Sequence, residues 1–510
     1  MDYHSGKLEN YAIVVNDRDN VAVAKSLISA GSQLSYKGVQ IIVRHDIKRG
    51  HRFALRQIPP ANTVIQYGQP FGTAVGMGIG VGEYVGDRET FSNDLPDIAV
   101  ALDRNHQVKR VEYLSDVRTF EGYKRDDGRV GTRNYFLVIP VSFCANDIGR
   151  QIAEHYKGWD TKGVDGVFYL NNNGGCGCDA KRVELTTRIL MNYARHPNVG
   201  GVLFIENGCE NSRFSCFRGL FESYKVDKPV EWISLQENEC KLKETVHQGI
   251  SLVGNHLDNI GKASRQLVPL SSLILGTECG GSDSFSGLSG NLVLGEVSDW
   301  IVISRGSVIL SEIPEFSGAQ YLLAKRAKDY DTAKRILSMF DWYQKLAVAH
   351  GSSFEENPTP GNMEGGLINI CIKSLGAVIK GGTTRVEGTI EYGELLMESG
   401  LNIMQGPGGD LESITGIAAS GANIIGFTTG RGTPVGNVIV PTVKIANAGY
   451  PNNDIFDYNA GAVIDTGKTK EAAGMELLEL IIEVASGKKT CAEKNDCRQF
   501  QIWPADSISL

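Results

Sequence analysis

Leu273-Ile274-Leu275, followed at once by Gly276-Thr277 and then by Glu278-Cys279-Gly280-Gly281-Ser282-Asp283, is the stretch on which the fold turns. The apolar run has the composition of a buried strand, and the polar cluster, continued by Ser284 to Asn291, falls where that strand hands over to a loop. In open α/β sheets ligands bind beyond the carboxyl ends of the strands. A loop carrying acids, a thiol, hydroxyls and glycines at that edge is therefore a candidate site, against the plainer reading of a glycine-rich turn made for geometry.

The same pattern recurs upstream. Tyr135 to Val141 is apolar and ends near Cys144, with helical periodicity from Asp147 to Tyr156. Val164 to Leu170 ends at Asn171-Asn172-Asn173-Gly174-Gly175-Cys176-Gly177-Cys178, and a helix is predicted over Lys181 to Arg195. Gly201 to Ile205 ends at Asn207-Gly208-Cys209-Glu210-Asn211. Such alternation predicts a parallel sheet covered by helices on both faces. If the strands before Cys144, Cys176, Cys209 and Cys279 share one sheet, the four thiols meet on one rim and can bind a metal or form a reactive centre. The alternative is that each is a small buried hydrophobe.

Downstream, Ile301-Val302-Ile303 and Val308-Ile309-Leu310 extend the α/β material, and helices are predicted near Ala319 to Ala327 and Thr332 to His350. Two prolines in Asn357-Pro358-Thr359-Pro360-Gly361-Asn362 fix the backbone ahead of Gly365-Gly366. Asn423-Ile424-Ile425-Gly426-Phe427 runs into Thr428-Thr429-Gly430-Arg431-Gly432-Thr433-Pro434, where Arg431 between glycines suits a carboxylate. Lys444, after Val438 to Val443, is a candidate base or second anchor, and a surface ion pair is the plain reading for both cations. A helix is predicted over Lys470 to Ala485.

The first 90 residues differ. Tyr11 to Val15, Val39 to Val43 and Thr63 to Tyr67 are strand-like and separated by turns, with one helix conceivable over Val21 to Ala30. A small β module follows, in which Arg49-Gly50-His51-Arg52 offers an imidazole and cations. The glycines of Gly76-Met77-Gly78-Ile79-Gly80-Val81-Gly82 lack the dinucleotide spacing and a following helix. Residues 87 to about 120 have the character of a linker.

The bulk numbers set limits. A chain of 510 residues is too long for one core. Its 42% hydrophobic and 22% charged content is that of a globular protein, and a net charge of −8 argues against broad nucleic-acid binding. No apolar run spans a membrane, and ten cysteines are too sparse for a disulfide scaffold, so a cytoplasmic protein with thiols or metal ligands is expected. Gly-x-Ser-x-Gly, His-Glu-x-x-His and phosphate-loop motifs are absent. What remains suits a hydroxy-carboxylate held by Arg431, by a cation, and by hydroxyl and amide side chains.

Taken in order, Asp19-Asn20-Val21-Ala22, Arg49 to Leu55, Gly128 to Asn134, Gly208 to Asn211, Cys279 to Asp283, Asn357 to Asn362, Lys373-Ser374-Leu375-Gly376, Thr429 to Pro434 and Thr490 to Asp496 resemble the altronate and galactarate dehydratase family. The resemblance implies an α/β protein with a small N-terminal SAF-type β-clip domain (1–90), a linker (91–125), an α/β domain with cysteine-ended strands (126–350) and a C-terminal α/β domain (351–510). It implies a lyase that dehydrates a sugar acid to a 2-keto-3-deoxy acid with Fe2+ or Mn2+, an iron–sulfur cluster being the alternative cofactor.

On this reading His51, Arg431, Asp283 and Lys444 are catalytic, and Ser282, Asn172, Asn362, Thr433 and Arg431 bind substrate. Cys144, Cys176, Cys209 and Cys279 line the metal. Partners are the sugar acid and further copies of the chain, with no nucleic acid or membrane. Two family histidines are replaced, by Asn16 and Asn172, and Asn exchanges no proton near neutral pH. A different leaving group, such as the sulfite of related sulfolactate lyases, and a sugar-acid sensor without turnover stand as alternatives. A nucleotide-binding oxidoreductase has only the α/β pattern behind it.

Overall fold

A computed structural model describes residues 3–95, 103–114, 118–161, 163–224, 228–450 and 453–510. The N-terminal module consists of three small sheets of three, four and three strands. Val21–Ala24, within the conceivable helix, is instead a fully buried strand paired antiparallel with Arg52–Ala54. The valines that weaken a helix there are the residues that favour a sheet. Part of the expected linker, Pro96 included, lies outside the described residues.

The body holds two parallel sheets. In the first, β1 (Tyr135–Pro140), β2 (Gly166–Tyr169), β3 (Val199–Glu206) and β4 (Val230–Ser234) lie in the order β2-β1-β3-β4. Helices α1 (Asn146–His155), α2 (Ala180–Arg195), α3 (Phe214–Tyr224) and α4 (Leu242–Ile260) connect and cover them. The all-apolar inner positions of β1 and β3, such as Leu137, Ile139, Val202 and Phe204, are fully buried. That is the pattern of strands covered on both faces.

The second sheet has seven strands: β5 (Ile274–Cys279), β6 (Ser307–Leu310), β7 (Val386–Ile390), β8 (Gly400–Met404), β9 (Ile424–Thr429), β10 (Thr442–Ala446) and β11 (Tyr458–Asn459). Their order is β7-β8-β6-β5-β9-β10-β11, with every neighbouring pair parallel. Helices α5 (Gly290–Ile303), α6 (Tyr330–Ala349), α7 (Ile370–Ala377), α8 (Asp410–Ala419) and α9 (Lys470–Ala485) accompany it. From β5 the chain builds outward on one side, then returns to place β9 on the other. The switch point therefore lies between β5 and β9, and the loops after these two strands flank the crevice where ligands bind in such sheets.

Two expectations change. Ile301-Val302-Ile303 closes helix α5 instead of forming a strand. The boundary expected at residue 350 cuts through the seven-stranded sheet, since β5 and β6 pair with strands beyond residue 386. With β5 in this sheet and β1–β3 in the other, the four cysteine-ended strands do not share a rim.

A buried clamp ties the first sheet to the C-terminal segment. Arg133, just before β1, donates from Nε and Nη2 to the two carboxylate oxygens of Glu493 at 2.8 Å each, and to the carbonyls of Val484 and Lys488. Tyr135 adds its hydroxyl to the same carboxylate at 2.9 Å. Burial opposes the Glu493 charge, but Arg133 prevails and brings its pKa down to about 2. Because the folded pKa is depressed, this contribution is present above the unfolded value and is lost as pH falls toward 2. Glu493→Ala, which strands the guanidinium, should cost about 3 to 5 kcal/mol in urea unfolding at neutral pH. A loss under about 1 kcal/mol would reduce the clamp to the rank of a surface pair.

Candidate active site

The loop after β5 sits at the switch point and is pressed from several sides. A Cβ on Gly280 would collide with the carboxylate of Asp410, the first residue of α8. A Cβ on Gly430, after β9, would collide with Asp283. Asp283 Oδ1 accepts from the N–H groups of Phe285 and Ser286 at 3.0 and 3.1 Å and from Asn447 Nδ2 at 3.2 Å. Burial nevertheless holds its pKa above the usual range. Ser282 is buried, and its carbonyl accepts from Asn362 Nδ2 at 2.8 Å. Thr433 Oγ1 stands 3.5 Å from Thr429 Oγ1, beside Gly281. The Arg431 side chain is 46% exposed, donates to the Gly361 carbonyl and lies 3.5 Å from Glu364.

The N-terminal module closes the other side through the 361–366 segment. Arg52, fully buried, donates to the Gly366 carbonyl and to Ser284 Oγ at 3.2 Å, while Ser284 N–H donates to the Gly365 carbonyl at 3.0 Å. His51 Nε2 is 3.3 Å from the Glu364 carbonyl and its Nδ1 3.2 Å from the Tyr84 hydroxyl. Burial first, then Arg52 and Lys48, lower its pKa, so the imidazole is mainly neutral at pH 7. Gly366 has φ +93°, and a Cβ there would meet the Gly50 carbonyl, so both geometry and space require glycine at this seam.

Below the loop lies a nest of buried charges. Cys279 Sγ is 3.2 Å from Glu315, 3.7 Å from Glu312 and 3.1 Å from Lys380 Nζ. Lys380 also pairs with Glu312, and Lys373 with Glu315 at 2.7 Å. Glu278 accepts from Ser413 Oγ at 2.6 Å. Burial, then the charge of Glu312, raises its pKa far enough that it keeps its proton. Burial, then Glu312 and Glu315, also holds the Cys279 thiol protonated. Asp410 is raised to about 6, first by burial and then by Glu315.

Lys444, on β10, is the unusual member. It is 1% exposed, Nζ has no hydrogen-bond partner, and it sits 3.2 Å from the centroid of the Phe427 ring. Burial brings its pKa down to about 7, against the opposing pull of Asp410 and Glu278. A neutral amine and a carboxylate near its midpoint, under a loop lined with donors, can exchange protons with an anionic substrate.

Most candidates thus converge: His51, Ser282, Asp283, Asn362, Arg431 and Thr433 around the loop, with Cys279 and Lys444 beneath. Two groups lie elsewhere. Asn172 is buried in the middle domain, where Nδ2 donates to the Pro140 carbonyl at 3.1 Å and Oδ1 accepts from Gly174 N–H at 3.0 Å, which makes it a loop brace. Cys144, Cys176 and Cys209 gather at the ends of β1–β3, apart from Cys279.

Sequence reasoning missed Asp410, Glu312, Glu315, Lys373 and Lys380 as site residues. A signal existed for Lys380, a charge inside Ala377-Val378-Ile379, and for Asp410, an acid opening a helix after Gly406-Pro407-Gly408-Gly409.

Among the described residues, Cys279, Glu312 and Glu315 are the one set of His, Cys, Asp or Glu ligand atoms standing within 4.8 Å of one another. The set does not fit a dication as it stands. Its two carboxylates are already balanced by two ammonium groups, and its thiol is protonated.

A buried lysine and a buried aspartate thus lie beneath a polar loop at the switch point of a parallel sheet, the place where such folds carry their active sites. Three family models match in succession: the altronate/galactarate dehydratase SAF domain over residues 10–93, the D-galactarate dehydratase/altronate hydrolase second domain over 122–261, and the D-galactarate/altronate dehydratase C-terminal model over 270–507. Altronate dehydratase of Bacillus subtilis is 34% identical over 96% of this chain and 98% of its own length. Galactarate dehydratase (L-threo-forming) of Escherichia coli is 33% identical over 94% and 93%. The (2R)-sulfolactate sulfo-lyase subunit beta of Chromohalobacter salexigens is 31% identical over 75% and 96%. The chain belongs to the altronate/galactarate dehydratase family.

The nest itself can be tested. Lys380→Met leaves Glu312 and Cys279 without their cation and should lower stability by about 3 kcal/mol or more. The double variant Lys380→Met/Glu312→Gln should recover most of that loss in thermal melts. Equal losses in both would mean that Lys380 acts through packing alone.

Proposed function

We propose that this chain is a hydro-lyase that dehydrates a polyhydroxy sugar acid, an altronate-like aldonate or an aldarate, to a 2-keto-3-deoxy acid. The observation that carries the reading is Lys444: buried, unpartnered, poised near pH 7 and next to Asp410 and Glu278. Removing the weakly acidic proton beside a carboxylate needs such a base, and the neutral amine can accept it. The Arg431 guanidinium binds the carboxylate and stabilises the enediolate as its charge develops.

Ser282, Asp283, Asn362 and Thr433 supply polar atoms for the remaining hydroxyls. The departing hydroxyl needs a proton, for which Asp410, raised to about 6, is the donor in its protonated form. Support for the substrate class is family membership together with the Arg431 guanidinium at the loop. No step here passes through the divalent ion that the family resemblance implied, because the charges at Cys279, Glu312 and Glu315 are already compensated.

Among the described residues no helix is long and apolar enough to cross a membrane, which agrees with a small-molecule substrate met in water.

If Lys444 is the base, kcat/KM rises with pH through about 7, because deprotonation creates the active form. Lys444→Met should reduce turnover on aldonates and aldarates by at least about 100-fold. The same change should raise the melting temperature at pH 6. The folded pKa lies below the unfolded 10.5, so the charged lysine opposes folding there, by an amount on the order of 4 kcal/mol. A variant that keeps its activity, or that loses it only by unfolding, contradicts the assignment. Release of sulfite from sulfolactate, with no keto acid from sugar acids, would shift the reading to the other leaving group.

A further inference from the structure

The middle domain has a switch point of its own. In the order β2-β1-β3-β4 the chain steps from β1 to β2 on one side, then to β3 on the other. The crevice at the strand ends therefore opens between β1 and β3. Cys144 follows β1, Cys176 follows β2 and Cys209 follows β3, so all three thiols lie at this crevice, each from a different loop.

The loops are locked together around Gly175, at φ +91°, where a Cβ would collide with the Val141 carbonyl. The Gly175 carbonyl accepts from the N–H groups of Asn211 and Ser212 at 3.0 Å each, and Phe143 N–H donates to the Gly174 carbonyl at 3.0 Å. Glu210, 2% exposed, accepts from Asn207 and Gly208 N–H at 2.8 and 2.6 Å and from Ser142 Oγ at 3.3 Å. Its neighbour Cys209 is left pointing outward, with Asn207 Nδ2 3.1 Å from its sulfur. Cys144 lies within electrostatic reach of both Cys176 and Cys209.

We infer that Cys144, Cys176 and Cys209 hold a [4Fe–4S] cluster at the middle domain's switch point, leaving one iron without a protein thiol. Three observations support this. The thiols come from three braced loops and are accessible, unlike packing cysteines. Among the described residues no cation pairs with them, in contrast to Cys279 with its two lysines. Their spacing is also wider than that around a single tetrahedral ion. A tetrahedral ion with sulfur at about 2.3 Å draws thiolates to about 3.8 Å of one another, yet this trio is not among the sets standing within 4.8 Å. A cubane places its thiolates farther apart, and thiolate is its ordinary ligand. Cys178 stands near Cys176 on the same loop and is not required.

The cluster is independent of the proton chemistry at Lys444. The Asn171–Cys178 loop touches the C-terminal segment through Asn173, which exchanges hydrogen bonds with Ile502 at 3.0 Å each way.

The full chain, purified without oxygen and reconstituted with Fe2+ and sulfide, tests the inference. Iron, acid-labile sulfide, visible absorption and, after reduction, the paramagnetic resonance spectrum are read. About four iron and four sulfide per chain are expected. Cys144→Ala, Cys176→Ala and Cys209→Ala should each lose most of the iron and the visible band while keeping the wild-type circular dichroism. Cys178→Ala, Cys279→Ala and Lys444→Met should retain both, so failure of the dehydratase reading leaves this result standing. Zinc or a single iron without sulfide, a Cys144–Cys176 disulfide without metal, or full retention of iron in the three alanine variants would each overturn it.

Discussion

The arrangement depends on a set of charges that would be intolerable singly. Glu312 and Glu315, from the segment after β6, and Lys373 and Lys380, from α7 and the turn that follows it, are all out of water, yet as two pairs they nearly cancel. Each ion is costly to bury alone and acceptable only while its partner is in place. The end of β5, the segment after β6, and α7 with its following turn are therefore positioned jointly. The loop above them inherits that position, and so does Glu278, whose proton is retained first by burial and then by the charge of Glu312 beside it.

Above this floor the fold assembles the site from three parts of the chain. The seven-stranded sheet brings the loops after β5 and β9 together at its switch point, α8 delivers Asp410 against Gly280, and the N-terminal module reaches across with His51 and Arg52. The middle domain stands to one side and gathers its own thiols by the same topological rule. The same switch-point geometry thus occurs twice in one chain, once above the nest of buried charges and once beside three cysteines.

Much of this was legible in the sequence. Strand-to-loop handovers announced the crevice loops, because a short apolar run that breaks into glycine and polar residues matches a buried strand leaving its sheet, and helix α9 was legible from its pattern. Val21–Ala24 and Ile301–Ile303 misled because four or fewer apolar residues carry no usable period, and tertiary context chose between helix and strand. The cysteines misled differently. Similar endings of four strands do not say which sheet a strand joins, and β5 joined strands more than a hundred residues later. Lys380 and Asp410 left local signals, but Glu312, Glu315 and Lys373 were illegible as a site because their meaning lies in mutual distance, which no local pattern records.

The short 361–366 segment has an effect out of proportion to its size. Its carbonyls receive Arg431 from the C-terminal domain and His51 and Arg52 from the N-terminal module. Any displacement of this segment therefore reaches the loop after β9 and the N-terminal module together, so a six-residue stretch governs the seam on both of its sides.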